Sequence, residues 1–298
     1  MTSSNRILGL VSVSGKDQKG VVARVSTYLA NNDVNIEDIE QKVVQGLFLM
    51  NMLVDLSELK LPLDELITEL IKLGGQMNME IKVRLLSQRR EKSVVVMVTK
   101  EPHCLERLLR DQAEGLLPGR INAVISNHPV LRPMAESAGI PFFHFEHADR
   151  AKRDDMIMEK LDELKPDLVV LARYMQILPP NFVQRWESRI INIHPSLLPF
   201  HPGANAYKQA HDTGSRVAGC TAHFVTEDLD EGPIILQDVF HIAVGVDSLD
   251  DVKFKGQQLE SKVLSKAVQL YLNEELLVKD NKVVFKPGLD FFKKQQDL

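Results

Sequence analysis

The stretch Ile190-Ile191-Asn192-Ile193-His194-Pro195-Ser196-Leu197-Leu198-Pro199 opens as a short apolar run and closes on prolines. Continuous apolar runs of this length suit a strand covered on both faces, as in a parallel sheet held between layers of helices. Val94 to Val98, Ala123 to Ser126 and Leu168 to Leu171 share that character. Amphipathic stretches near Leu105 to Arg110, Arg150 to Leu164 and Asp250 to Leu272 lie among the runs. This alternation predicts an α/β fold with a mostly parallel, Rossmann-like sheet and right-handed crossovers. Side chains two apart in a strand share a face, so Asn192 and His194 emerge together while Ile191 and Ile193 point the other way. Ligands of such sheets bind beyond the carboxyl ends of the strands, which is where this polar pair falls. A buried Asn and His that merely satisfy loop backbone would leave the same pattern.

Upstream, the period changes in a different order. Arg6 to Val13 reads as a strand, and Gly20 to Ala30 sets Val21, Val25, Tyr28 and Leu29 at helical spacing. Val34 to Val44 and Leu47 to Asp55 read as strands joined by a hairpin at Gln45-Gly46. A second helix follows Pro62 and is predicted to stop at Gly74-Gly75, and Met77 to Leu86 closes as a strand. The order βαββαβ is the ferredoxin-like arrangement. Ser87 to Lys92, polar and without apolar periodicity, is the expected linker. It divides the chain into residues 1–86 and 87–298.

The bulk composition narrows the function. With 298 residues, 44% hydrophobic and 26% charged, the chain has room for two cores. A net charge of -5 with scattered Lys and Arg gives no footprint for nucleic acid. Cys104 and Cys220 form neither a disulfide framework nor a thiolate metal site, which fits a reducing cytoplasm. The N-terminus has no secretion-signal pattern, and no apolar run approaches the roughly 18 residues of a membrane span. His-Glu-x-x-His, Cys-x-x-Cys and Gly-x-Ser-x-Gly motifs are absent, so zinc and serine hydrolase readings lose support, and neither a metal nor a tightly bound cofactor is expected.

A second informative stretch runs from Gly219 to Ile235, where an apolar strand enters the acidic loop Thr226-Glu227-Asp228-Leu229-Asp230-Glu231 before Gly232-Pro233 turns the chain back. Loop carboxylates are commonly solvated turn residues. Asp230, its direction fixed by the turn, is also placed to orient His194 and stabilise its protonated form.

Together the two stretches resemble the formyltransferase family that uses 10-formyltetrahydrofolate. Its pattern Asn-x-His-Pro-Ser-Leu-Leu-Pro is met at Asn192 to Pro199, and His-x-Val-x-x-x-x-Asp-x-Gly-x-Ile at His223 to Ile234. The resemblance spans about two thirds of the chain, beyond the linker. It implies that Asn192 donates to the oxyanion of a tetrahedral intermediate, that His194 transfers protons, and that Asp230 supports His194. It implies also that Arg173-Tyr174-Met175-Gln176-Ile177-Leu178 form the folate-binding turn, with His223 and Asp228 further substrate-binding residues. A strand-to-helix loop would account for the turn without a ligand. The chemistry is consistent, because a formyl group on an aryl amine is amide-like and a positioned Asn amide typically stabilises its oxyanion by on the order of 3 kcal/mol.

The acceptor is a separate question. Family members that formylate glycinamide ribonucleotide carry a Gly- and Ser-rich loop after the first strand of this domain, whose backbone N–H groups hold a phosphate. Val98 to Arg107 has no glycine, and Glu101 and Pro102 oppose an anion there. His103-Cys104-Leu105 instead resembles the formyltetrahydrofolate deformylases, in which water is the acceptor and His103 contributes to the substrate site. A plain helix-start residue remains the alternative for His103. The N-terminal βαββαβ order with Asp17, Gly20 and Val21 at the first turn resembles the ACT domain, which implies an amino-acid effector there and a homo-oligomer. A dimerisation module that binds nothing is the alternative. The expected reaction is hydrolysis of 10-formyltetrahydrofolate to formate and tetrahydrofolate, supplying formate for purine synthesis. The rivals are phosphoribosylglycinamide formyltransferase and an inactive folate-sensing regulator. A transfer-RNA formyltransferase is disfavoured because little chain follows Val284.

Overall fold

The computed structural model describes residues 7–86, 91–199 and 205–286. Of the expected linker, Ser87 to Arg90 lies outside the described residues, and Lys92 already opens a strand. The chain divides into two compact units, the second spanning Glu91–Val284. Among the described residues no helix is long and apolar enough to cross a membrane.

The first unit runs β1 (Leu8–Lys16), α1 (Val21–Asn31), β2 (Asn35–Val44), β3 (Leu47–Asp55), α2 (Leu63–Gln76) and β4 (Met79–Leu85). Its sheet is antiparallel in the order β2-β3-β1-β4, the expected ferredoxin-like topology. The hairpin at Gln45-Gly46 forms as read, with both residues at positive φ, 50° and 76°, which matches the right-handed twist of the strands it joins. Val11, Val13, Met50 and Met52 of the sheet close a core against Val25 and Leu29 of α1 and Leu66 and Leu70 of α2. Each such fully buried side chain is worth roughly 1.5–3 kcal/mol. One expectation fails. α2 continues through Gly74-Gly75 to Gln76. A Cβ at Gly74 would lie 2.7 Å from the Met79 carbonyl oxygen, so this glycine serves close packing of helix on strand.

The second unit runs β5 (Lys92–Val98), α3 (His103–Ala113), β6 (Gly119–Ser126), a 3-10 turn, α4 (Arg132–Ser137), β7 (Phe142–His144), α5 (Arg150–Leu164), β8 (Leu168–Leu171), α6 (Pro180–Arg185) and β9 (Ile190–His194). It continues through α7 (Ala206–Asp212), β10 (Val217–Phe224), β11 (Ile234–His241), α8 (Leu249–Leu272), β12 (Leu276–Lys279) and β13 (Lys282–Phe285). The main sheet has the order β11-β10-β9-β8-β5-β6-β7. β5 to β9 run parallel and β10 alone runs antiparallel to its neighbours β9 and β11, so the sheet is mostly parallel as expected. After β5 the chain builds outward through β6 and β7, then returns to lay β8 and β9 on the other side of β5. The strand order thus reverses between β5 and β8, and in open α/β sheets ligands usually bind beyond the carboxyl ends of the strands near such a reversal.

Candidate active site

A cavity of about 260 Å³ is lined by the turn after β8, the end of β9, and the segment after β10. The β9–β10 ladder sets its chemistry by register: Asn192 pairs with His223, and His194 with Thr221. His194, 6% exposed, ends its strand with Nδ1 3.2 Å from Asp230 Oδ2. A carboxylate only accepts, so Nδ1 carries the proton and Nε2 the lone pair. That Nε2 is buried and has no partner among the described residues. The hydrogen bond from His194 is the main cause that holds the Asp230 carboxyl below its usual range, against the opposing effect of burial.

His223 is fixed in one tautomer. Its Nδ1 lies 2.9 Å from the Phe224 carbonyl oxygen, which can only accept, so Nδ1 bears the proton and Nε2 accepts. The Asn192 amide nitrogen, 3.1 Å from Nε2, is therefore the donor, which settles which way that amide points. Burial pulls the His223 imidazole below its ordinary value and keeps it neutral, so its 3.7 Å approach to Asp230 is no ion pair.

The loop that delivers Asp230 is held by a close approach. A Cβ at Gly232 would lie 1.7 Å from the Phe224 carbonyl oxygen, and Phe224 N–H donates to the Pro233 carbonyl at 2.9 Å. Asp230 itself sits at φ 59°, a left-handed conformation that aims its side chain back at His194.

The turn after β8 contributes Arg173, Tyr174, Met175, Gln176, Ile177 and Leu178 to the cavity wall. Met175 N–H is not free for a ligand, because it donates to Thr99 Oγ1 at 3.1 Å, and Thr99 in turn donates to Asn127 Oδ1 at 2.9 Å. Burial pushes the Tyr174 phenol up to about 12. Thus Asn192, His194, Asp230, His223 and the turn 173–178 meet at one cavity. Two other expected substrate-binding residues are not on its wall. Asp228 is exposed and its backbone carbonyl accepts from Thr226 Oγ1 at 3.1 Å, while His103 opens α3 and pairs with Glu260 of α8 at 3.0 Å. Sequence reading missed Thr99 and Glu260, because a lone Thr after a strand and a Glu within a long polar-faced helix carry no distinguishing pattern. In the first unit, Gly20 caps α1 at φ 87°, Val21 is buried, and Asp17 is exposed with its N–H on the Gly46 carbonyl at 2.8 Å. The left-handed φ explains the glycine at position 20 without a ligand.

Residues 92–268 match the formyl transferase family and residues 8–84 the ACT domain. Formyltetrahydrofolate deformylase of Bacillus subtilis (strain 168) is 37% identical over 286 residues, covering 94% of each chain. The crystal structure of a formyltetrahydrofolate deformylase from Pseudomonas syringae pv. tomato superposes with a TM-score of 0.85 at 34% identity, covering 95% of both chains. Glycinamide ribonucleotide transformylase 1 from Symbiobacterium toebii reaches a TM-score of 0.64 at 33% identity and covers 67% of this chain and 96% of its own. Similarity over both units, at this identity, means that the chain belongs to the formyltetrahydrofolate deformylase family.

Proposed function

We propose that this protein hydrolyses 10-formyltetrahydrofolate to formate and tetrahydrofolate. The observation that carries the mechanism is the buried Nε2 of His194, without a partner among the described residues, with the ring's proton held at the opposite nitrogen by Asp230. His194 Nε2 takes a proton from water as the water oxygen attacks the formyl carbon. Asn192 has one amide hydrogen on His223 and a second to donate to the oxyanion that develops. The imidazolium, stabilised by Asp230, then returns its proton to N10 as the carbon–nitrogen bond breaks, and formic acid leaves and gives up its remaining acid proton to solvent as formate. The turn 173–178 holds the folate. Nothing in the scheme calls for a metal or a tightly bound cofactor.

The acceptor side supports water. α3 begins with a histidine committed to Glu260, and the turn before it has no glycine, so no cradle of backbone N–H groups for a nucleotide phosphate is built there. Purified protein with 10-formyltetrahydrofolate alone should release formate catalytically, and glycinamide ribonucleotide should neither speed the reaction nor become formylated. Turnover that depends on the ribonucleotide would make the protein a transferase. Donor binding without turnover would make it a folate sensor.

We place the enzyme in the cytoplasm as a homo-oligomer assembled through the first unit, with an amino acid as effector at Asp17, Gly20 and Val21. Small amino acids should change the rate of the full chain, and that response should vanish in a protein beginning at Ser87 that still hydrolyses the donor. A response that survives truncation puts the effector elsewhere.

A further inference from the structure

Glu260 lies in the middle of α8 and is 1% exposed. A carboxylate that deep is costly to desolvate and persists only where partners meet it. Tyr207 of α7 donates to Oε1 at 2.8 Å, His103 Nε2 lies 3.0 Å from Oε2, and Arg173 Nε approaches the same oxygen at 3.5 Å. The partners come from three separate segments, α7, the start of α3 and the turn after β8. α8 is shaped to receive one of them. A Cβ at Gly256, one helical turn before Glu260, would lie 2.3 Å from the Tyr207 ring, so the absent side chain lets the phenol lie along the helix and reach the carboxylate.

The cluster is an ion network in character. His103, Cys104 and Glu260 lie within 4.8 Å of one another, the spacing of metal ligands. Burial, however, pushes the Cys104 thiol well up and keeps it protonated, and the Arg173 guanidinium already supplies the positive charge. Buried ion pairs contribute little to stability compared with well-packed apolar side chains. A geometric role explains the charge better, and Arg173 shows what that role is. It occupies a left-handed conformation, φ 60°, that a side-chain-bearing residue keeps only where its surroundings hold it. It is also the first residue of the turn that lines the cavity. Thr99 anchors the turn at Met175, and Arg153 and Arg150 of α5 hold it at Gln176 and at the Ile177 carbonyl. At its first residue, Arg173, the anchor is Glu260.

We propose that Glu260 is a positioning residue for the reaction. Acting through Arg173, it holds the turn 173–178 in the conformation that binds the folate. This inference rests on the proposed reaction, since it takes that turn as the folate site. Glu260→Gln keeps the shape and the acceptor for Tyr207 and removes the charge opposite Arg173.

The test uses full-length protein, steady-state kinetics with 10-formyltetrahydrofolate, and calorimetric binding of tetrahydrofolate as a non-reacting probe. E260Q should raise KM and the tetrahydrofolate Kd together by about tenfold or more, with kcat within about threefold of wild type. In an Arg173→Gln background the same change should add less than about twofold, because the residue through which it acts is gone. Glu260→Asp, which keeps the charge at shorter reach, should fall between wild type and E260Q, and it carries the same kinetic and double-mutant tests if E260Q does not accumulate folded. Unchanged KM and Kd, a loss confined to kcat, or effects of the two substitutions that multiply would each overturn the inference while wild-type turnover leaves the reaction standing. Wild-type protein that binds no tetrahydrofolate and releases no formate overturns both.

Discussion

His223 faces Asn192 across the β9–β10 ladder, its Nε2 3.1 Å from the Asn192 amide nitrogen and its Nδ1 committed to the Phe224 carbonyl at 2.9 Å. A buried, neutral imidazole thus fixes the rotation of the amide that would serve the oxyanion. Asn192→Ala should lower kcat by about 10²-fold to 10³-fold with little change in KM. A loss confined to KM would make Asn192 a binding residue.

Asp230→Asn should leave KM near its wild-type value and lower kcat by about 10²-fold to 10⁴-fold, because the lost interaction is with the charged His194 that exists only during reaction. The amide can also donate to Nδ1 and so favour the tautomer with the proton on Nε2, where a base needs a lone pair. Near-normal turnover in this variant would remove the role.

Burial keeps His223 neutral, and the sign of its effect on stability follows. Its value in the folded protein lies below the ordinary one, so as pH falls through about 6.5 the unfolded chain takes up a proton that the folded site refuses, and stability declines. Nitrogen-15 spectra of the ring should show it titrating below the ordinary histidine value, with its neutral form protonated at Nδ1. An ordinary titration, or a proton on Nε2, would contradict the hydrogen-bond assignment.

Gly232→Ala should damage activity and stability together. The new Cβ would meet the Phe224 carbonyl oxygen at 1.7 Å, so the backbone that fixes His223 and the loop that carries Asp230 must separate. A loss of about 2–4 kcal/mol in chemical denaturation is expected, with kcat reduced even at temperatures where the variant is fully folded. A variant with wild-type kcat would show that the loop tolerates the shift.

By itself the sequence determined the two-part architecture, the βαββαβ order of the first unit and the mostly parallel sheet of the second, because hydrophobic period is a local property and these elements follow it. It also marked Asn192 and His194 as partners, since residues two apart in a strand must share a face. Only the tertiary structure decided the rest. That Gly74 packs a helix onto β4 instead of ending it depends on a strand the helix has not yet met in the chain. Thr99 and Glu260 acquire partners 76 residues on and 157 and 87 residues back, and no spacing rule reaches across such gaps. The tautomer of His223, and with it the direction of the Asn192 amide, follows from which carbonyl the fold sets beside Nδ1, and that is a matter of strand register and burial.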